Sequence, residues 1–316
     1  MHMQTLAVVL WLVGCLVLAT PPATAADDTI EAPAGGLLFI PDERTVVEAQ
    51  DVVIGRGSVK ATYAVRNTSS DPIVRVVSFA LPEIDMNIVG EEVVVVASAD
   101  PRNFVGATVE VDGVAVALEL EQHAVAFTRN VTRELEAAGI PLNPLVPGIE
   151  LRLGALPPAL KVRLEERGAI RRDDQRVVPN WAVRTTAFWR QSFDAGRTVT
   201  INLAYQPVTA SGVWGADSLP AHQQAYCIGK DLQAAIAARA AQTGRGLVAH
   251  RVTYAAASEP GWWAPIPSFR LAIEKAGLET LVATCRKDLR AVGPTLLEWV
   301  GKNYAPGDDI RVLFIN

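Results

Sequence analysis

VGATVEVDGVAVALEL, from Val105 to Leu120, is the stretch that decides the fold. Strand-forming runs at Val105–Val111 and Val114–Leu120 flank Asp112-Gly113. Asp-Gly suits the positive φ values that the type I′ turn of a β-hairpin demands. Hairpins join neighbouring strands antiparallel, so the rest of the chain is read for further strands of this kind.

Upstream, Val59, Ala61, Tyr63 and Val65 alternate with Lys60, Thr62, Ala64 and Arg66, the period of a half-buried strand. Asn67-Thr68-Ser69-Ser70-Asp71-Pro72 supplies a turn, and Ile73–Leu81 runs back as far as Pro82. Downstream, strands are expected at Trp181–Arg190 and Arg197–Tyr205, where Thr198, Thr200 and Asn202 alternate with Val199, Ile201 and Leu203. Strands joined by polar turns imply a mainly β, antiparallel β-sandwich over residues 26–210. Residues 128–176 read as a helical insertion in it. Asn130 can cap a first helix that ends at Gly139, and Pro157-Pro158 can start a second that ends at Gly168. Pro141, Pro144 and Pro147 make the link between them irregular.

Gly212, Gly215 and Pro220 mark a boundary, beyond which 211–316 reads as a smaller β-rich C-terminal domain with one short helix. Asp231 caps that alanine-rich helix. Strands are expected at Leu247–Ala256, Ser268–Glu274, Thr280–Cys285 and Ile310–Ile315.

Residues 1–25 read as a secretory signal peptide. Leu6–Leu18 is apolar but too short to span a bilayer, and Ala23-Thr24-Ala25 is a small-x-small cleavage signature. Leu12-Val13-Gly14-Cys15 also resembles a lipobox, with acylation at Cys15, although the apolar run continues past it. The soluble reading is preferred, and it places the mature chain in the periplasm. No later apolar stretch is long enough for a transmembrane helix. A formal charge of −5 without a sustained basic block argues against nucleic acid as a partner.

Without the leader, Cys227 and Cys285 remain as an even pair in an oxidising compartment, and one disulfide is inferred. The rival is a catalytic thiol with His222 or His250 as its base.

Further short motifs are spread over nearly the whole mature chain. They include Ala34-Gly35-Gly36-Leu37, Tyr63-Ala64-Val65-Arg66-Asn67 before Phe79-Ala80-Leu81-Pro82, and Asn103-Phe104 before Val111-Asp112-Gly113. Gly139-Ile140-Pro141-Leu142 is followed by Trp181 and Phe188-Trp189-Arg190-Gln191. Tyr226-Cys227, Trp263-Ala264-Pro265-Ile266, Phe269-Arg270-Leu271 and Cys285 complete the series. In order and spacing the chain resembles a bacterial secreted family known as domain of unknown function 4424. It departs from that pattern at Ala80, Trp262 and Pro267. The resemblance implies export to the periplasm and a mostly β fold, and it supplies no reaction, cofactor or catalytic residue.

Candidate chemistry is sparse. Trp262 and Trp263, bounded by prolines, form a candidate stacking platform for a sugar ring or partner peptide; otherwise they seal the base of a sheet. Glu119, Glu121 and His123 share one face if Val114–Phe127 is a single strand, as metal ligands or as a solvated face. Arg163, Arg167, Arg171, Arg172 and Arg176 interleave with Glu165, Glu166, Asp173 and Asp174, as a mixed solvated surface or a docking site for an acidic partner. No zinc-protease, serine-hydrolase, phosphate-loop or dinucleotide motif occurs. The sequence thus favours a non-catalytic binding or interaction module of the cell envelope, with no cofactor or metal and an envelope protein or glycan as partner. The alternative is a hydrolase of envelope polymers working through carboxylates or a thiol.

Overall fold

The computed structural model describes residues 34–39, 44–86, 93–95, 97–214, 218–244, 246–256, 265–307 and 309–316. The long strands begin with Thr45–Gly55 (β1), Val59–Asn67 (β2) and Ile73–Ala80 (β3). The hairpin follows as Thr108–Val111 (β4) and Val114–Val116 (β5), with Asp112 at φ 49° and Gly113 at φ 80°. Both turn residues are left-handed, as a type I′ turn requires.

At Ala117-Leu118 the chain leaves that sheet and enters another as Glu119–Ala126 (β6). Helices Thr132–Ala137 (α1), Ile149–Gly154 (α2) and Pro158–Glu166 (α3) come next, then Ala182–Phe193 (β7), Thr198–Tyr205 (β8) and Thr209–Trp214 (β9). Two helices, Ser218–Gln223 (α4) and Lys230–Thr243 (α5), precede Leu247–Ala255 (β10) and Ile266–Glu274 (β11). Leu281–Ala283 (β12), Leu296–Tyr304 (β13) and Ile310–Ile315 (β14) end the chain.

The eight-stranded sheet runs Arg290–Ala291, β13, β11, β1, β2, β8, β4, β5. A six-stranded sheet contains β6, β7 and β3, and another contains β12, β14, β10 and β9. Pairing among the long strands is antiparallel except where β11 lies parallel to β1, Leu271 opposite Val52. Strands from both sides of residue 210 therefore share one sheet. They also share one core, in which Val52, Tyr63, Phe79, Trp189, Tyr254, Phe269 and Phe314 are all buried.

Strand β14 is buried on both faces. Val312 and Phe314 enter the main core, while Leu313 and Ile315 face a second cluster with Tyr226 and Ile236, under α4 and α5. A third cluster fastens the insertion: Leu135, Leu153 and Leu164 of α1–α3 pack with Ala124, Ala126 and Trp181. Trp181 is fully buried, and its indole N–H donates to the Leu142 carbonyl at 2.7 Å. Asn130 accepts from the Thr132 N–H at 3.0 Å at the start of α1, and α3 begins at Pro158 behind Pro157. Among the described residues, no helix is long and apolar enough to cross a membrane.

Candidate ligand-binding cleft

The disulfide is formed. Cys227 and Cys285 bond at 2.05 Å, joining the turn after α4 to the segment after β12. Both thiols are thereby consumed, which removes the nucleophile that the thiol reading needs.

A cleft of about 410 Å³ opens beside this bridge, within the range of small-molecule sites. It is lined by Lys230, Asp231 and Leu232 of the first turn of α5 and by Thr284, Arg286 and Leu289 of the segment after β12. The bridge ties these two segments together, because Cys227 lies just before α5 and Cys285 directly precedes Arg286.

Arg286 is held by an aromatic stack. Its guanidinium carbon lies 3.4 Å from the Trp299 ring centroid and 5.4 Å from that of Tyr304. Trp299 and Tyr304 meet edge-on at 5.6 Å, and both pack on the buried Phe269 at 5.9 and 4.2 Å. On β13, Trp299 lies across Gly301, where a Cβ would collide with the indole. A guanidinium covered on its face keeps its N–H donors at its edges. Among the described residues neither that guanidinium nor the Lys230 ammonium has a hydrogen bond or ion pair, and both line the cleft. Asp231, in the first turn of α5, is the acidic group of the cleft lining.

The groups singled out in the sequence lie elsewhere. Trp262 and Trp263 fall outside the described residues, as do residues 1–25 with Cys15. Glu119, Glu121 and His123 do share a solvent-facing side of β6, and Glu121 contacts His123 at 3.2 Å. Among the described residues no cluster of three or more His, Cys, Asp or Glu could hold a metal. The arginines of the insertion are partly spent on pairs that brace it: Arg167 with Glu134 at 3.5 Å, Arg172 with Glu165 at 3.1 Å, and Arg176 with Asp173 at 3.0 Å. His222 is buried between Trp214 and Tyr226, with ring centroids at 5.8 and 5.7 Å.

A second polar group is internal. The Tyr63 and Tyr254 hydroxyls are 2.5 Å apart, and the Gln50 amide donates to Tyr254 at 2.9 Å. Burial pushes the Tyr63 phenol up to about 12 and those of Tyr254 and Tyr205 well above the ordinary value. Enclosed in the core, Gln50, Tyr63 and Tyr254 join β1, β2 and β10 by hydrogen bonds. Sequence reasoning missed Lys230, Arg286 and Trp299. The nearest signal was Tyr226-Cys227 with Cys285, which brackets the cleft without naming its charges.

Fold and site define a mainly β protein of packed sheets with a disulfide-framed cleft of ligand size. The chain belongs to the family described as Domain of unknown function (DUF4424), whose profile matches residues 25–313. No curated protein matches it. Among solved structures it is similar to a candidate nutrient binding protein from Legionella pneumophila, at 11% identity and a TM-score of 0.44, covering 90% of this chain and 71% of that one. It is also similar to an M1 zinc metallopeptidase from Deinococcus radiodurans, at 9% identity and a TM-score of 0.26, covering 87% of this chain and 43% of that one. Likenesses this distant carry no functional argument.

Proposed function

We propose that the protein is an exported, non-catalytic binding module of the cell envelope, which takes its ligand in the cleft beside Cys227–Cys285. One observation carries this reading: the cleft of about 410 Å³ is lined by Arg286 and Lys230, whose charged ends have no hydrogen bond or ion pair among the described residues. The apolar side chains of Leu232, Leu289 and Leu297 offer the rest of a ligand a dry surface. Export rests on Leu6–Leu18 and Ala23-Thr24-Ala25, and the disulfide suits an oxidising compartment such as the periplasm.

Trp262 and Trp263, on the connection from β10 to β11, are a second proposed contact for a glycan or envelope protein. Thermal-shift screening of envelope-derived metabolites and glycans tests the cleft. Stabilisation should appear in the native protein and vanish in Thr284→Trp, which fills it. A ligand that stabilises both equally places binding elsewhere. On a glycan array, undiminished binding by Trp262→Ala and Trp263→Ala would remove the tryptophans from the site. N-terminal sequencing of the cellular protein should begin at Ala26, whereas a lipid on Cys15 would replace the periplasmic reading with an anchored one.

A further inference from the structure

We infer that the ligand of this cleft is an amphiphilic acid whose carboxylate or phosphate is gripped by Arg286 while its apolar part lies against Leu289 and Leu297. The inference rests on the proposed role of the cleft and adds the chemistry of what enters it.

Three features set that chemistry. Arg286 and Lys230 both line the cleft, and Asp231 is the acid that accompanies them. Two cations against one carboxylate leave the charged lining net positive, which favours an incoming anion. Next, the Trp299 ring covers one face of the guanidinium, so the fork of edge N–H groups is held in orientation. Such a fork matches the paired oxygens of a carboxylate or phosphate, and holding it in advance lowers the entropy lost on binding. Finally, the remaining lining is mainly apolar, which suits a hydrocarbon portion better than a small hydrated ion.

Trp299 is thus a positioning residue, and Gly301 is what lets its indole lie flat. The disulfide belongs to the same device, since it fixes the segment of Arg286 against the first turn of α5.

Isothermal titration of the full mature protein with hexanoate, hexyl phosphate and hexylammonium tests the inference, because these probes share a tail and differ in the head. At least one acid should bind saturably and more weakly as salt rises, with hexylammonium far weaker. The tighter acid identifies the head as carboxylate or phosphate. Arg286→Gln, with its near-ultraviolet circular dichroism unchanged, should weaken that acid by roughly tenfold or more. Arg286→Lys should recover only part of the loss, since the fork is gone. Trp299→Leu should weaken binding several-fold and Trp299→Phe should restore much of it, a pattern expected only if the ring orients the guanidinium.

Hexylammonium binding as tightly as the acids, and lost in Thr284→Trp, would overturn the acid while leaving the cleft as the binding site. Acid binding indifferent to Arg286→Gln would overturn the role of Arg286. Failure of all three probes would overturn the inference and count against the cleft itself.

Discussion

Asn67, fully buried at the end of β2, donates its amide to the carbonyls of Asp71, Phe193 and Asp194 at 2.8, 3.1 and 3.2 Å. Its own carbonyl accepts the Ser69 N–H at 2.9 Å, so one side chain ties the turn after β2 to the end of β7. Asn67→Ala would leave those carbonyls buried without a donor, and we expect a loss of roughly 2–4 kcal/mol in urea unfolding. A midpoint unchanged from the native protein would contradict that role. The tyrosines carry a pH dependence. Their phenols are neutral in the fold, and Tyr63 titrates at about 12 rather than 10. A raised folded pKa gives stability that is complete below the unfolded value and is lost as pH rises through the folded one. Unfolding should therefore set in as pH climbs from about 10 towards 12, and Tyr63→Phe should remove part of that slope. Tyrosinate absorbance that follows pH while circular dichroism stays native would contradict it. Asn67, Tyr63 and Trp181 were all visible as motif residues, yet each is part of the scaffold. Arg286 and Trp299 carried no local signal, because the contact that gives them meaning joins a loop to a strand.

The Cys227–Cys285 bridge acts at the scale of elements. It closes a separation of 58 residues, worth about 4 kcal/mol in the chain-entropy model. Cys227→Ser with Cys285→Ser should lower stability by roughly 2–4 kcal/mol, and it should cost more than half of any cleft-dependent affinity. Stability lost with affinity kept would detach the bridge from the site. Element legibility followed periodicity. β2 and β8 alternate cleanly and were placed from sequence, as were the Asp112-Gly113 turn and the start of α3; Asp231 does not cap α5, which begins a residue earlier at Lys230 behind Gly229 with no side-chain cap bond. β1 was hidden by a bulge between Val47 and Ala49, which flips its phase so that Val47, Gln50, Val52 and Ile54 are the buried set. β13 was hidden for another reason: Leu296–Trp299 are all partly exposed, so no alternation exists to be read. The stretch Val114–Phe127 alternates almost throughout, but it changes sheets at Ala117-Leu118, a break that periodicity does not record.

Across the whole molecule, the parallel pairing of β11 with β1 is the connection that sequence reading had no means to foresee, since the partners are far apart in the chain. Arg270 on β11 reinforces it, bonding Asp51 on β1 at 2.9 and 3.0 Å and Glu298 on β13 at 2.6 Å. Gly212, Gly215 and Pro220 suggest a boundary near residue 210 in the sequence, whereas strands from both sides of it share one sheet. A fragment of residues 26–210 would expose one edge of β1 and open the shared core, so we expect it to aggregate or to unfold without a cooperative transition. Cooperative unfolding of that fragment would contradict this. The central claim is that ligand enters the cleft that this whole-chain assembly builds beside its disulfide. Chemical-shift mapping of the isotope-labelled protein, titrated with hexanoate and hexyl phosphate, tests that claim most directly. The expected result is saturable shifts of the Lys230, Asp231, Thr284 and Arg286 amides and of the Trp299 indole. Shifts confined to the Trp262 and Trp263 indoles, or no shifts with either probe, would contradict it.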